Sequence, residues 1–133
     1  MPKIKPITPK DTDAKERFAM KIIEWLAKRE LWYEVAIYVN GKCYSADGYD
    51  KTKNPVQLQT PKGGVTYYAT DVPDPTVIVE YANPDLITMT FEGPLYQALN
   101  YDSDMEQAFM DLFDRHGLYF EYGYAWSLSA YEN

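Results

Sequence analysis

The sequence predicts an α+β domain: a mostly antiparallel, curved sheet of about six to seven strands, with two main helices packed on one face. Three observations carry this. Two segments, around residues 14–26 and 105–116, repeat apolar residues at helical spacing. Several others alternate apolar and polar residues with period two, and one of these runs straight into Asn40-Gly41. Finally, hairpins dominate and no regular β-α-β alternation is visible. With 133 residues, 46% of them apolar, the chain suits a single domain with a real core.

Residues 1–10 contain three prolines and three lysines and no acid, which predicts a basic extended arm ahead of a single domain over 11–133. Thr8-Pro9 reads as a helix start, with Asp11 and Asp13 suiting its positive end. Ala14, Phe18, Ile22, Trp25 and Leu26 then form one apolar stripe, opposite Arg17, Lys21 and Lys28. Leu31 to Val39 switches to period two. Tyr33, Val35, Ile37 and Val39 point one way; Trp32, Glu34, Ala36 and Tyr38 point the other. Asn40-Gly41 predicts a type I′ turn, pairing Val39 with Lys42, Tyr38 with Cys43 and Ile37 with Tyr44.

Residues 47–64 read as a long loop punctuated by Gly and Pro. Strands are expected over Val65–Thr70, around Val77, Val79 and Tyr81, and over Ile87, Met89 and Phe91. Gly93-Pro94 opens a short helix through Leu99. Ser103-Asp104-Met105-Glu106 has the capping-box pattern for the last helix, which Gly117 ends. A final hairpin runs through Gly123. Shifted by 87 residues without a gap, Phe18, Ile22, Trp25 and Leu26 fall on Met105, Phe109, Leu112 and Phe113, and Leu31–Glu34 on Leu118–Glu121. This raises an internal helix–hairpin repeat, with Trp32 and Glu34 matching Tyr119 and Glu121.

Charge is segregated. Residues 1–62 hold 12 Lys/Arg against 8 Asp/Glu, a net +4, and include all ten lysines; residues 63–133 hold only Arg115 against 12 acids, a net −11. The overall −7 argues against direct nucleic-acid binding. No apolar run is long enough to span a membrane, and Met1-Pro2-Lys3-Ile4-Lys5-Pro6 carries no apolar signal core, so a cytoplasmic protein is expected. One cysteine and one histidine leave no basis for an internal disulfide or a Cys/His metal site, and nothing implies a cofactor. His116 reads as a helix C-terminal residue suited to the dipole, and Cys43 as a strand cysteine without a local base.

Tyrosine is the largest excess, with 13 residues. Its ring buries apolar area and keeps a polar tip, which suits interfaces. Trp32, Tyr38 and Tyr119 on the sheet face opposite the helices, and Tyr67 and Tyr68 beside the long loop, are the recognition candidates. The expected function is a non-catalytic protein-interaction module. It would use that aromatic face and an acidic helix to bind a protein partner or form a homo-oligomer. Two alternatives use the carboxylates. Glu34 and Glu121, flanked by aromatics, would form a sugar- or nucleotide-binding or hydrolytic site. Asp104, Asp111, Asp114 and Glu121 would imitate a phosphate backbone and inhibit a nucleic-acid-binding protein.

Overall fold

The first helix begins where an aspartate can satisfy its free N–H groups. In the computed structural model, which describes residues 5–47 and 55–133, α1 spans Thr12–Lys28 and is capped by Asp11, whose side chain accepts from the Ala14 N–H at 3.0 Å. The start at Thr8-Pro9 is therefore corrected by three residues. The arm docks through Ile7, which is buried and donates its N–H to the His116 carbonyl at 2.9 Å.

The strands are β1 (Val35–Val39), β2 (Lys42–Ser45), β3 (Pro55–Thr60), β4 (Gly63–Asp71), β5 (Thr88–Phe91), β6 (Leu118–Tyr122) and β7 (Ser127–Glu132). They form one antiparallel sheet in the order β3-β4-β2-β1-β5-β7-β6. Asn40 and Gly41 both have positive φ, 54° and 74°, and the β1–β2 register is the expected one. Two further helices, the short α2 (Gly93–Tyr101) expected from Gly93-Pro94 and the longer α3 (Ser103–Asp114), complete the fold. Asp102 caps α3 by accepting from the Met105 N–H at 3.1 Å; Ser103, the cap the pattern predicted, lies inside the helix, one residue past the observed cap.

Register divides the sheet into two chemically different faces. Ala69, Tyr44, Ile37, Met89, Leu128 and Tyr122 follow one another across six strands on the helix side. Phe18 and Trp25 of α1 meet Phe113 and Phe109 of α3 there, and both of these phenylalanines pack on Phe120 of β6. On the far face the matching row is Thr70, Cys43, Tyr38, Thr88, Ser129 and Glu121. The neighbouring row, Tyr68, Ser45, Ala36, Thr90 and Ser127, is equally rich in hydroxyls.

Two segments depart from expectation. Part of the predicted loop, Pro55–Thr60, is strand β3, joined to β4 by the two-residue turn Pro61-Lys62. It is a mostly exposed edge strand, so no apolar run announces it. The predicted strand at Val77–Tyr81 does not form. Pro75–Val77 is a single 3-10 turn capped by Asp74, and Tyr81 has a left-handed φ of 67°. Asp74 accepts the Thr76 N–H and Pro75 at the first turn position presets a helical φ, so the segment opens as a turn.

Helix then hairpin occurs twice, as α1-β1-β2 and α3-β6-β7, but the residue correspondence behind the repeat fails. β6 begins at Leu118, whereas the equivalent Leu31 lies four residues before β1. Glu34 has a φ of 54°, which breaks the alternation assumed from Leu31 onward. Trp32 consequently turns into the core, and its indole N–H donates to the Thr66 carbonyl at 2.9 Å.

Candidate functional site

The hydroxyl face is crossed by a strap, residues 72–86, between β4 and β5. The face itself holds the strap down. The Ser129 hydroxyl donates to the Tyr81 carbonyl at 2.9 Å and lies 3.0 Å from the Thr88 hydroxyl. Thr88 accepts from the Asn83 N–H at 2.8 Å, and the Asn83 amide donates to the Ala130 carbonyl at 2.8 Å. Val79 anchors the strap in apolar contact and is almost fully buried. Small hydroxyl side chains on the far face thus give a main-chain segment the partners it needs near a sheet.

The strap covers only part of the face. Between it and β1–β2 remains a cavity of about 380 Å³, with Tyr38, Cys43, Ser45 and Thr90 among its floor residues and Ile78, Val79 and Trp126 on its walls. Among the described residues, Glu34, Asp47 and Glu92 supply every charge on its lining. The Asp47 carboxylate accepts the Glu34 N–H at 2.8 Å, and the Glu34 carbonyl accepts the Glu92 N–H at 3.0 Å. Glu34 sits directly against Gly93, where an added Cβ would lie 3.2 Å from its Oε2; with a φ of 64°, Gly93 has two reasons to be glycine. On the floor, burial and the neighbouring Cys43 push the Tyr38 phenol up to about 12, so it stays a neutral donor.

Beside the cavity mouth stands an apolar ridge. Val77 is 82% exposed, Ile78 58% and Tyr81 61%. Trp126 stacks on Tyr124 with 5.1 Å between centroids and 10° between planes, and Tyr124 in turn contacts Tyr81. The Tyr124 hydroxyl donates to the Glu80 carboxylate, and this bond raises the Tyr124 pKa. Two of the four described non-glycine residues with positive φ, Glu34 and Tyr81, belong to this region. Backbone held in that conformation costs of order 1–3 kcal/mol and tends to gather at functional surfaces.

A larger cavity, about 610 Å³, lies between the end of α1 and the β3–β4 hairpin. Its lining mixes Lys28 and Lys62 with Glu24, Glu30 and Asp47, and it lacks a neighbouring apolar ridge. The single-sign charge and exposed aromatics favour the smaller cavity as the site.

The predicted site residues are scattered. Glu34 and Tyr38 belong to the cavity. Trp32 is buried and is corrected from the recognition face to the core. Tyr67 lies on the helix side, edge-on to Tyr44 at 5.5 Å, while Tyr68 is half-buried on the hydroxyl face. Tyr119 and Glu121 are exposed at the β6 edge. Three inter-strand steps separate β1 from β6, roughly 14 Å at ~4.8 Å each. Glu34 and Glu121 therefore do not converge as a glycosidase pair requires. Asp104, Asp111 and Asp114 are exposed on α3, on the helix side, whereas Glu121 points from the opposite face of β6, so the four acids do not share one surface.

Val77, Ile78, Tyr81, Tyr124 and Trp126 were not singled out by the sequence. The available signal was a pair of β-branched residues between prolines, where a strand would have to be an edge. His116 is buried under α1, 4.4 Å from the Phe18 ring, with Nδ1 2.9 Å from the Leu112 carbonyl, and burial lowers its pKa. Among the described residues, no group of three His, Cys, Asp or Glu is placed to hold a metal, and no helix is long and apolar enough to cross a membrane. Comparison with known proteins yields no match to a family model, to a curated protein or to a solved structure.

Proposed function

We propose that this protein is a non-catalytic interaction module whose docking surface is the ridge and cavity on the hydroxyl face, and that its partner presents a basic segment bearing apolar side chains. One observation carries the reading: an exposed ridge of aliphatic and aromatic side chains borders a cavity whose charged lining groups, among the described residues, are all carboxylates. Apolar side chains of a partner would cover Ile78 and Trp126, and a lysine or arginine would reach Glu34, Asp47 and Glu92. The −11 balance of residues 63–133 extends the attraction beyond the cavity and favours fast encounter with a basic partner.

Trp126 supplies the readout, because Trp25 and Trp32 are buried and Trp126 is 39% exposed. A short synthetic lysine–leucine peptide is expected to shield Trp126 from acrylamide quenching. A glutamate–leucine peptide of equal length is expected to leave it accessible. Ile78→Asp and Glu92→Lys should each abolish the shielding while the melting temperature is kept. Equal shielding by both peptides, or shielding that survives both substitutions, refutes the proposal.

A further inference from the structure

A second docking element lies at the other end of the molecule, independent of the cavity. β6 is a terminal strand of the sheet, and among the described residues no strand pairs with its outer side. Its register with β7 fixes which main-chain groups face outward. The Gly123 N–H donates to the Ser127 carbonyl and the Asn133 N–H to the Gly117 carbonyl, at 3.1 and 3.0 Å. In an antiparallel ladder the bonded positions alternate, so Tyr119 and Glu121 bond β7 while Phe120 and Tyr122 direct N–H and C=O away from the sheet. The Leu118 carbonyl accepts from the Asn133 side chain instead. Edge strands are normally blunted by lysine, proline or a bulge. Leu118-Tyr119-Phe120-Glu121-Tyr122 contains neither lysine nor proline and pairs without a bulge. β3, at the opposite edge, starts with Pro55.

The surroundings of this edge are acidic on both sides of the sheet. The Tyr122 hydroxyl donates to Glu106 at 2.5 Å, and Asn133 donates to Asp114 at 3.2 Å. These contacts place α3 antiparallel to β6, so the row Glu106, Met110, Asp114, one helical turn apart, runs along the strand. Met110 is 42% exposed. Glu121 and Tyr119 flank the other side. The one Lys or Arg of this half, Arg115, lies near enough to Arg29, just past α1, to lower its pKa.

We infer that β6 accepts an extended basic polypeptide segment as an added antiparallel or parallel strand, its main chain bonding Phe120 and Tyr122 and its lysine or arginine side chains meeting Glu106, Asp114 and Glu121. A second copy of the chain fits less well, since pairing β6 with itself sets two α3 rows, each with Glu106 and Asp114, beside one another.

Amide hydrogen exchange followed by NMR tests this, with a synthetic peptide alternating lysine and valine as the probe. The expected result is new protection at Phe120 and Tyr122, with Tyr119 and Glu121 unchanged because they are already bonded. The double variant Met110→Lys/Glu121→Lys should weaken binding about tenfold or more, as should raised salt. Both positions are exposed or half-exposed, so the fold should survive. No new protection at Phe120 and Tyr122, or equal protection by a glutamate–valine peptide, overturns the inference. So does protection that appears without peptide as concentration rises, which would make a second copy the occupant. Trp126 accessibility, read in the same samples, reports the cavity separately, so either surface can fail alone.

Discussion

The two faces of the sheet are built by different means. The helix face is closed by volume: Ile37, Met89, Phe91 and Leu128 interlock with phenylalanines of α1 and α3 and exclude water. The other face is closed by a single strap, whose Asn83 N–H is accepted by Thr88 and whose Tyr81 carbonyl accepts from Ser129, and only in part. Over the central strands the packing leaves no space, and the cavity beside α1 opens only towards the β3–β4 hairpin, whereas a strap held at a few points leaves a cavity beside it on the other face. Stability therefore concentrates on one side, and the proposed docking surface lies on the other. Left-handed Glu34 and Tyr81 both border the proposed docking surface, the kind of place where such backbone tends to gather.

The contrast can be broken first by truncation. Phe109→Ala on the helix face is expected to cost about 3–5 kcal/mol in denaturant unfolding, from lost burial and a cavity. Thr90→Ala on the hydroxyl face is expected to cost less than about 1 kcal/mol. Similar losses at both sites would erase the distinction between the faces.

The strap comes next. Ser129→Ala removes the bond to the Tyr81 carbonyl and the contact with Thr88, at a cost of about 1–2 kcal/mol. Hydrogen exchange should quicken at Asn83 and its strap neighbours while α1 amides keep their protection. Uniform acceleration throughout the molecule would mean that strap and core are one cooperative unit.

Acid should act through the helix side. His116 is held below its ordinary value of 6.5 by burial. Between the folded and unfolded values the unfolded chain binds the additional proton, so this contribution is intact above about pH 6.5 and is lost as pH falls. His116→Gln should flatten that limb of the stability–pH curve, and an unchanged slope would place the acid sensitivity elsewhere.

The smallest expected effect is at Glu34. Glu34→Gly relieves a left-handed backbone and should leave stability unchanged or raise it by up to about 1 kcal/mol. The same change should weaken shielding of Trp126 by the lysine–leucine peptide. A destabilised variant would show that the carboxylate is retained for folding.

Most of the sheet was legible because its central strands alternate cleanly and Asn40-Gly41 can make only a few turns. The register of β1 with β2, and hence the pairing of Tyr38 with Cys43, followed from that turn alone. β3 was hidden because an exposed edge strand such as Pro55–Thr60 has no buried face to pattern it. Trp32 was misplaced because a single left-handed residue, Glu34, resets alternation, and glutamate gives no local warning of that conformation. The site was only half legible for a related reason. Its floor comes from strands with readable periodicity, but its ridge comes from the strap and the β6–β7 turn, whose meeting is set by tertiary bonds. Val77 and Ile78 look like a strand until one sees that Asp74-Pro75 before them starts a capped turn.

An NMR chemical-shift map of the protein titrated with the lysine–leucine peptide puts the division of labour between the faces to the most direct test. The expected map centres on Ile78, Tyr81, Glu92 and Trp126 and leaves Phe18, Ile37 and Phe109 still. A map in which Ile78, Tyr81 and Trp126 do not move while the peptide binds would contradict the assignment of the hydroxyl face as the docking surface.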